Sequence, residues 1–258
     1  MSLKGRGAVI TGGGRGIGKA VARYLAEQGA AVVVSARTTK EIEDVAAELA
    51  ADGHKAYAVT CDVADEDSVQ AMAAAAVGHL GTVDILVNNA GIAPSNPVKR
   101  VPLEEWNRVM AVNVTGTFLC TKAFLPGMLS RSWGRVINVA SIAGLRGSKF
   151  IATYCASKHA QIGFTRALAA EVAENGITVN AICPGYVDTP MTEYSVVQIV
   201  EKAGVTAAEA LKHILATSPQ KRLIRPEEIA AVAVMLCGKD GEGISGQAIA
   251  IDGGQGSH

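Results

Sequence analysis

A chain of 258 residues, 49% hydrophobic but only 4% aromatic and with 28 glycines, has the length of one large α/β domain. That make-up suits a packed parallel sheet and excludes a disordered segment. Its 24 basic and 24 acidic side chains cancel, so no net field favours nucleic acid or an anionic membrane, and the expected partner is a small molecule.

In chain order, residues 1–6 lead at once into an apolar strand without the long apolar region of a signal peptide. No apolar run reaches the ~20 residues of a membrane span, so a cytoplasmic location is expected. Apolar, β-rich runs lie at 8–10, 31–34, 56–59, 85–87, 136–139, 178–182 and 248–251, which predicts seven strands. Most are separated by stretches with helical spacing, at 18–28, 41–51, 67–79, 103–129, 152–174 and 226–237. Strand alternating with helix predicts a parallel sheet wrapped on both faces, in a single domain over residues 1–258. Ligands of such sheets bind beyond the carboxyl ends of the strands, near the switch point. Residues 186–220 break the rhythm, and an insertion of that length reads as a substrate lid.

The five cysteines (Cys61, Cys120, Cys155, Cys183, Cys237) form no C-x-x-C pair and read as buried thiols in a reducing compartment. The five histidines (His54, His79, His159, His213, His258) show no ligand spacing, so no metal site is expected.

After the first strand comes Thr11-Gly-Gly-Gly-Arg-Gly-Ile-Gly18, opening an amphipathic helix. Such a turn lets backbone N–H groups and a helix N-terminus hold a phosphate. Gly13-x-x-x-x-Gly18-Lys19 nearly spells the loop of nucleotide hydrolases, but Ala20 stands where a magnesium-binding hydroxyl is needed. Gly12, Gly16 and Gly18 are not spaced as G-x-G-x-x-G either, so the loop alone leaves the nucleotide open.

Further groups stand where ligands should bind: Asn88-Asn89-Ala90-Gly91 after the fourth strand, Asn113 in the long helix, and Ser141 at the end of the fifth strand. Tyr154-Cys-Ala-Ser-Lys158 lies in the next helix and Pro184-Gly185 after the sixth strand. With the glycine loop, in this order and over essentially the whole chain, the set resembles the short-chain dehydrogenase/reductase family. The resemblance implies a Rossmann-type doubly wound fold and a nicotinamide-dependent oxidoreductase acting on CH–OH or C=O groups.

Tyr154 and Lys158 are four apart and share a helix face. Bringing a phenol from ~10 to near neutrality takes roughly 4 kcal/mol, which one ammonium at about 4 Å can supply at an effective dielectric near 20. Lys158 is therefore expected to activate Tyr154. By resemblance, Ser141 positions the carbonyl oxygen, Tyr154 passes the proton, Lys158 also holds the ribose hydroxyls, and Asn113 supports a water-linked proton relay. The resemblance further implies cofactor contacts from Gly12, Arg15, Gly16, Ile17 and Gly18 in the loop. Asn89, Ala90 and Gly91 would lie at the adenosine ribose, and Asp62 with Val63 at the adenine. Pro184, Gly185 and Val187 would line the nicotinamide pocket, with Thr189 at the carboxamide. Asp62-Val63 equally reads as a capping turn into Asp65 and Glu66.

NAD sites place an acid after the second strand to bind the ribose 2′-hydroxyl. Here that strand ends Val34-Ser35-Ala36-Arg37, and Arg37 with Arg15 supplies two guanidinium groups suited to a 2′-phosphate. NADP(H) is expected over NAD(H). Residues 157–166, 179–190 and the long segment to Arg222 resemble the ketoreductases of fatty-acid and, more closely, polyketide synthesis. That implies a 3-oxoacyl thioester or related β-keto chain as substrate, carried on CoA or acyl carrier protein. A 3-hydroxybutyrate-type dehydrogenase is the alternative, but Ala143 stands where that group usually shows His. A non-catalytic dinucleotide sensor is a third class, yet such proteins typically lack the tyrosine or the lysine. The resemblance also implies a homotetramer built through residues 103–129, 152–174 and the last strand.

Overall fold

The computed structural model describes residues 2–257. Seven strands, β1 (Gly7–Thr11), β2 (Ala31–Ala36), β3 (Ala56–Thr60), β4 (Ile85–Asn88), β5 (Gly134–Val139), β6 (Ile177–Pro184) and β7 (Ala248–Ile251), form one sheet. Every pairing is parallel, in the order β3-β2-β1-β4-β5-β6-β7. The chain winds outward from β1 to β3, returns to lay β4 beside β1, and winds the other way, so β1 and β4 flank the switch point.

Alternation along each strand decides which layer covers which face. Ala8, Ile10, Val32, Val34, Ile85 and Val87 pack under helices α1 (Gly16–Glu27), α2 (Thr39–Ala51) and α9 (Pro226–Cys237). Val9, Val33, Leu86 and Val136 pack under α3 (Glu66–Leu80), α5 (Gly116–Ser130) and α6 (Ala152–Glu171). This is the doubly wound arrangement expected from the alternating pattern, and all seven strands lie where the sequence places them.

The helices differ from expectation in three places. The helix expected over 103–129 runs as α4 (Leu103–Met110), a π turn (Ala111–Thr115) and α5, so it widens around Asn113. By length and composition Leu103–Ser130 is apolar enough to cross a membrane. Here it is a core helix that buries Asn113, Thr117 and Thr121 beside Leu119, Phe124 and Met128. Helix α6 stops at Glu171 rather than 174, because Ala173–Asn175 tightens into a 3-10 turn before Gly176 turns left-handed at φ 67°. Residues 186–220 are not irregular. They carry α7 (Pro190–Ala203), opened by a proline in its first turn, and α8 (Ala207–Ala216), opened by a capping box of Thr206 and Glu209.

Candidate functional site

The glycine loop owes its shape to two positive φ angles and one close approach. Gly12 and Gly16 have φ of 63° and 51°, a region that suits glycine. A Cβ on Gly18 would stand 2.3 Å from the Gly12 carbonyl oxygen, so α1 starts hard against the strand end only because residue 18 lacks one. Asn89 fixes the loop from beneath: its Nδ2 donates to the carbonyls of Thr11 and Gly12, both at 3.0 Å. The Thr11 hydroxyl accepts in return from the backbone N–H of Asn89 and Ala90 at 3.1 Å. No side chain caps the first turn of α1, whose extended N-cap is Arg15. The uncapped donors therefore face the groove, as a phosphate site requires.

That groove, of about 710 Å³, contains Gly12, Arg15, Gly16, Ile17, Arg37, Asp62, Val63, Asn89, Ala90, Gly91 and Thr189 in its walls, most of the predicted cofactor set in one place. The Thr189 Cγ2 lies 3.0 Å from where a Gly16 Cβ would be, which brings the segment after β6 over the glycine loop. Both arginines already have partners: Arg15 donates to Glu41 at 3.2 Å, and Arg37 lies 4.0 Å from Asp62. Asp62 also turns its own loop, its Oδ1 accepting from the Ala64 N–H at 3.0 Å, while Asp65 caps α3. Asp62 thus makes its own turn while standing in the groove wall. The cradle and its donors fit a dinucleotide.

A second cavity, of about 1200 Å³, adjoins the first and reaches Ser141, Tyr154, Lys158, Pro184, Gly185 and Val187. Strand β5 ends at Val139, and Ser141, two residues on, opens a 3-10 turn by accepting from the Ala143 N–H at 3.1 Å. Gly185 donates its N–H to Ile251 of β7 at 3.0 Å, and Val187 is held by a bridge to Ile224. Tyr154 and Lys158 share the inner face of α6, with the Lys158 Nζ 5.6 Å from the phenol ring centre.

The expected activation of Tyr154 by Lys158 is not what this geometry gives. The Nζ donates to the Val139 carbonyl at 2.8 Å and to Gln161 Oε1 at 2.7 Å. Burial moves the two groups apart: the phenol is pushed up to about 12, against the pull of the neighbouring Ser141 hydroxyl, and the lysine is pushed down to about 7. At neutral pH Tyr154 is a protonated phenol, the species that can donate. Asn113 is held by protein partners. Its side chain is spent on the Ile92 N–H and carbonyl, both at 2.9 Å, and on the Ser157 hydroxyl at 3.0 Å. It fastens the π turn to the loop after β4, and its carbonyl accepts from the Thr117 hydroxyl at 2.9 Å.

Sequence reasoning missed the polar layer below these residues. Asn88 Nδ2 donates to Thr121 and Asn138, Asn138 Nδ2 to Thr165, and Gln161 Nε2 to Thr117. The signal was available: Asn113, Thr117 and Thr121 repeat every fourth residue through an apolar helix, and Gln161 and Thr165 do so on α6.

Comparison with known proteins agrees with this arrangement. Residues 6–199 match the profile described as short chain dehydrogenase. A D-beta-hydroxybutyrate dehydrogenase of Rhizobium meliloti is 38% identical, over 96% of this chain and 97% of its own. The granaticin polyketide synthase putative ketoacyl reductase 1 of Streptomyces violaceoruber is 40% identical, over 97% and 93%. A variant of actinorhodin polyketide ketoreductase, crystallised with NADPH, superposes with a TM-score of 0.96 at 38% identity and covers 100% of both chains. The glycine cradle at the switch point, the adjoining Ser141–Tyr154–Lys158 cleft and these likenesses place the chain in the short-chain dehydrogenase family, as a dinucleotide-dependent oxidoreductase.

Proposed function

We propose that this oxidoreductase uses NADP(H), in preference to NAD(H), to reduce a 3-oxoacyl thioester or a polyketide β-keto group to the secondary alcohol. The observation that carries the reading is the 1200 Å³ cavity running from Ser141 and Tyr154 to an exposed mouth where Arg100, Arg146, Lys149 and Lys202 outnumber Glu201. Cavities for small ligands run to roughly 1,000 Å³, so this one has room for a chain. Its basic mouth suits the phosphates of a carrier arm, on CoA or acyl carrier protein. The likeness to ketoacyl reductases and to an NADPH-bound ketoreductase supports it.

Bound nicotinamide supplies the hydride. The Ser141 hydroxyl orients the substrate oxygen, and the Tyr154 phenol, held protonated by burial, delivers its proton there as the carbonyl carbon is reduced. Lys158 holds the ribose side of the site with the one N–H that its two backbone and side-chain acceptors leave free. Gly12, Gly16, Ile17 and Gly18 cradle the phosphates, Asn89 to Gly91 the ribose, and Asp62 with Val63 the adenine. Pro184, Gly185, Val187 and Thr189 flank the nicotinamide. Arg15 and Arg37 take the 2′-phosphate.

Residues 186–220 act as the lid. Lys202 of α7 donates to the Ser95 carbonyl and to Asn96, and the Asn96 N–H donates to the Phe150 carbonyl at 2.7 Å, which ties the lid across the mouth. Leu103, Trp106, Phe118 and Leu129 remain exposed on the long helix, a face suited to packing copies of the chain into a homotetramer. We place the enzyme in the cytoplasm.

A 3-hydroxy acid dehydrogenase is the second reading, favoured by the likeness to a D-beta-hydroxybutyrate dehydrogenase. The test is NADPH oxidation, followed by absorbance, with an acetoacetyl thioester, acetoacetate and simple and aromatic ketones, beside NADH. Turnover of the thioester supports the proposal. Turnover of acetoacetate alone transfers the assignment to the second reading, and equal use of NADH removes the cofactor preference.

A further inference from the structure

Lys158 is 3% exposed and Gln161 1%, three residues apart on the inner face of α6. An ammonium has three donors and no acceptor, so whatever faces it must offer lone pairs. The Gln161 amide has the orientation that satisfies its neighbours. The Thr117 hydroxyl spends its proton on the Asn113 carbonyl at 2.9 Å and can only accept from Gln161, whose Nε2 lies 2.7 Å away. Oε1 therefore turns to the Lys158 Nζ, at 2.7 Å. With the Val139 carbonyl at 2.8 Å, two of the three ammonium protons are held inside the protein.

We propose that Gln161 is a positioning residue for Lys158: it holds the ammonium on a buried Lys158–Gln161–Thr117–Asn113 chain, sustains its charge, and leaves one N–H for the cleft. The proposal rests on the reading of Lys158 as a site residue, but not on the choice of substrate.

The titratable groups facing the ammonium are Tyr154 on α6 and Cys183 on β6, and no carboxylate is among its partners in the described residues. From β5 and from the loop after β4, backbone approaches it: the Val139 carbonyl, and Gly91, whose Cβ would stand 3.7 Å from Nζ. Burial drives the lysine down to about 7, so it titrates in a range where one neutral acceptor alters its charge. Replacing that acceptor by an apolar group of similar size lowers the midpoint further, and replacing it by a carboxylate raises it.

The experiment is an NMR titration of the cofactor-free protein carrying ε-13C-lysine, with the Lys158 signal identified by its loss in Lys158→Met. The expected order of midpoints is Gln161→Glu above wild type above Gln161→Leu. The glutamate variant should move up by at least one pH unit, tenfold in the acid constant. The alkaline limb of kcat/KM for NADPH-dependent reduction should move in the same order. Midpoints unchanged in both folded variants overturn the proposal, even where melting temperature falls, because the amide then only packs. Should Gln161→Leu fail to fold, Gln161→Glu decides alone by the same criterion. Turnover by Lys158→Met tests the underlying reading separately: full activity there sinks the role of Lys158 whatever the titration shows.

Discussion

Glu41 of α2 accepts a hydrogen bond from Arg15 at 3.2 Å across the groove, so one of the two guanidinium groups assigned to the 2′-phosphate already has an internal anion. A phosphate entering there must displace or share that carboxylate. The pair is solvent-exposed and worth at most about 1 kcal/mol, so Glu41→Gln should tighten NADPH up to roughly fivefold and leave NADH nearly unchanged. Arg37→Ala should weaken NADPH by roughly tenfold or more, since a charge-assisted contact is lost. Fluorescence titration of both nucleotides checks the two variants. NADPH affinity unaltered by Arg37→Ala would contradict the assignment of the 2′-phosphate.

Asn89 holds the Thr11 and Gly12 carbonyls, and removing its amide leaves them without those donors at the tightest part of the loop. Asn89→Ala should cost about 1–3 kcal/mol of stability and weaken NADPH and NADH alike, because the damage is to the shared cradle. Gly18→Ala should be worse: its Cβ would meet the Gly12 carbonyl at 2.3 Å, and backbone cannot swing aside as a side chain can. Thermal melts with and without nucleotide separate these effects. A Gly18→Ala protein that binds NADPH normally would show that the loop is not closed as described.

Tyr154→Phe removes the phenol proton beside Ser141 while keeping ring and packing. The rate of ketone reduction should fall by roughly a hundredfold or more, with dinucleotide affinity little changed. Single-turnover absorbance measurements with NADPH resolve chemistry from binding. Retention of a tenth of the wild-type rate would require a different donor.

The strands, the glycine loop and the order of the site residues were legible because period and turn chemistry are local properties. Gly12 and Gly16 adopt positive φ, and Tyr154 and Lys158 share a face, as their sequence contexts require. What the sequence concealed depends on burial and on partners distant in the chain. The spacing of Tyr154 and Lys158 suggested an ion close enough to lower the phenol, but Val139 and Gln161 draw the ammonium to themselves, and desolvation outweighs the expected attraction. Asn113 lay in a helical pattern whose periodicity gives no sign of the π turn at Ala111–Thr115. The helices α7 and α8 were hidden in a segment that mixes polar and apolar residues, since neither buries a long stripe: only Thr192 of α7, and Ala210 and Ile214 of α8, are buried.

Burying Lys158 also makes stability depend on pH, with a sign that can be stated. Its folded value of about 7 lies below the ordinary 10.5, so between these limits the unfolded chain holds the proton more tightly than the native protein. Unfolding free energy therefore rises with pH across that window. The stability is fully present above about 10.5, is lost as pH falls, and reaches its lower plateau below about 7. Lys158→Met removes the titrating group and with it this slope. Relative to the variant, the cofactor-free wild type should gain stability steadily from pH 7 to pH 9, whatever constant offset the lost Val139 and Gln161 bonds impose. Urea midpoints of the two proteins at pH 6, 7, 8 and 9 measure that difference. Parallel curves over the series would mean that the lysine keeps an ordinary affinity for its proton despite its burial, whereas a wild type that loses ground with rising pH would mean that its partners over-compensate the desolvation.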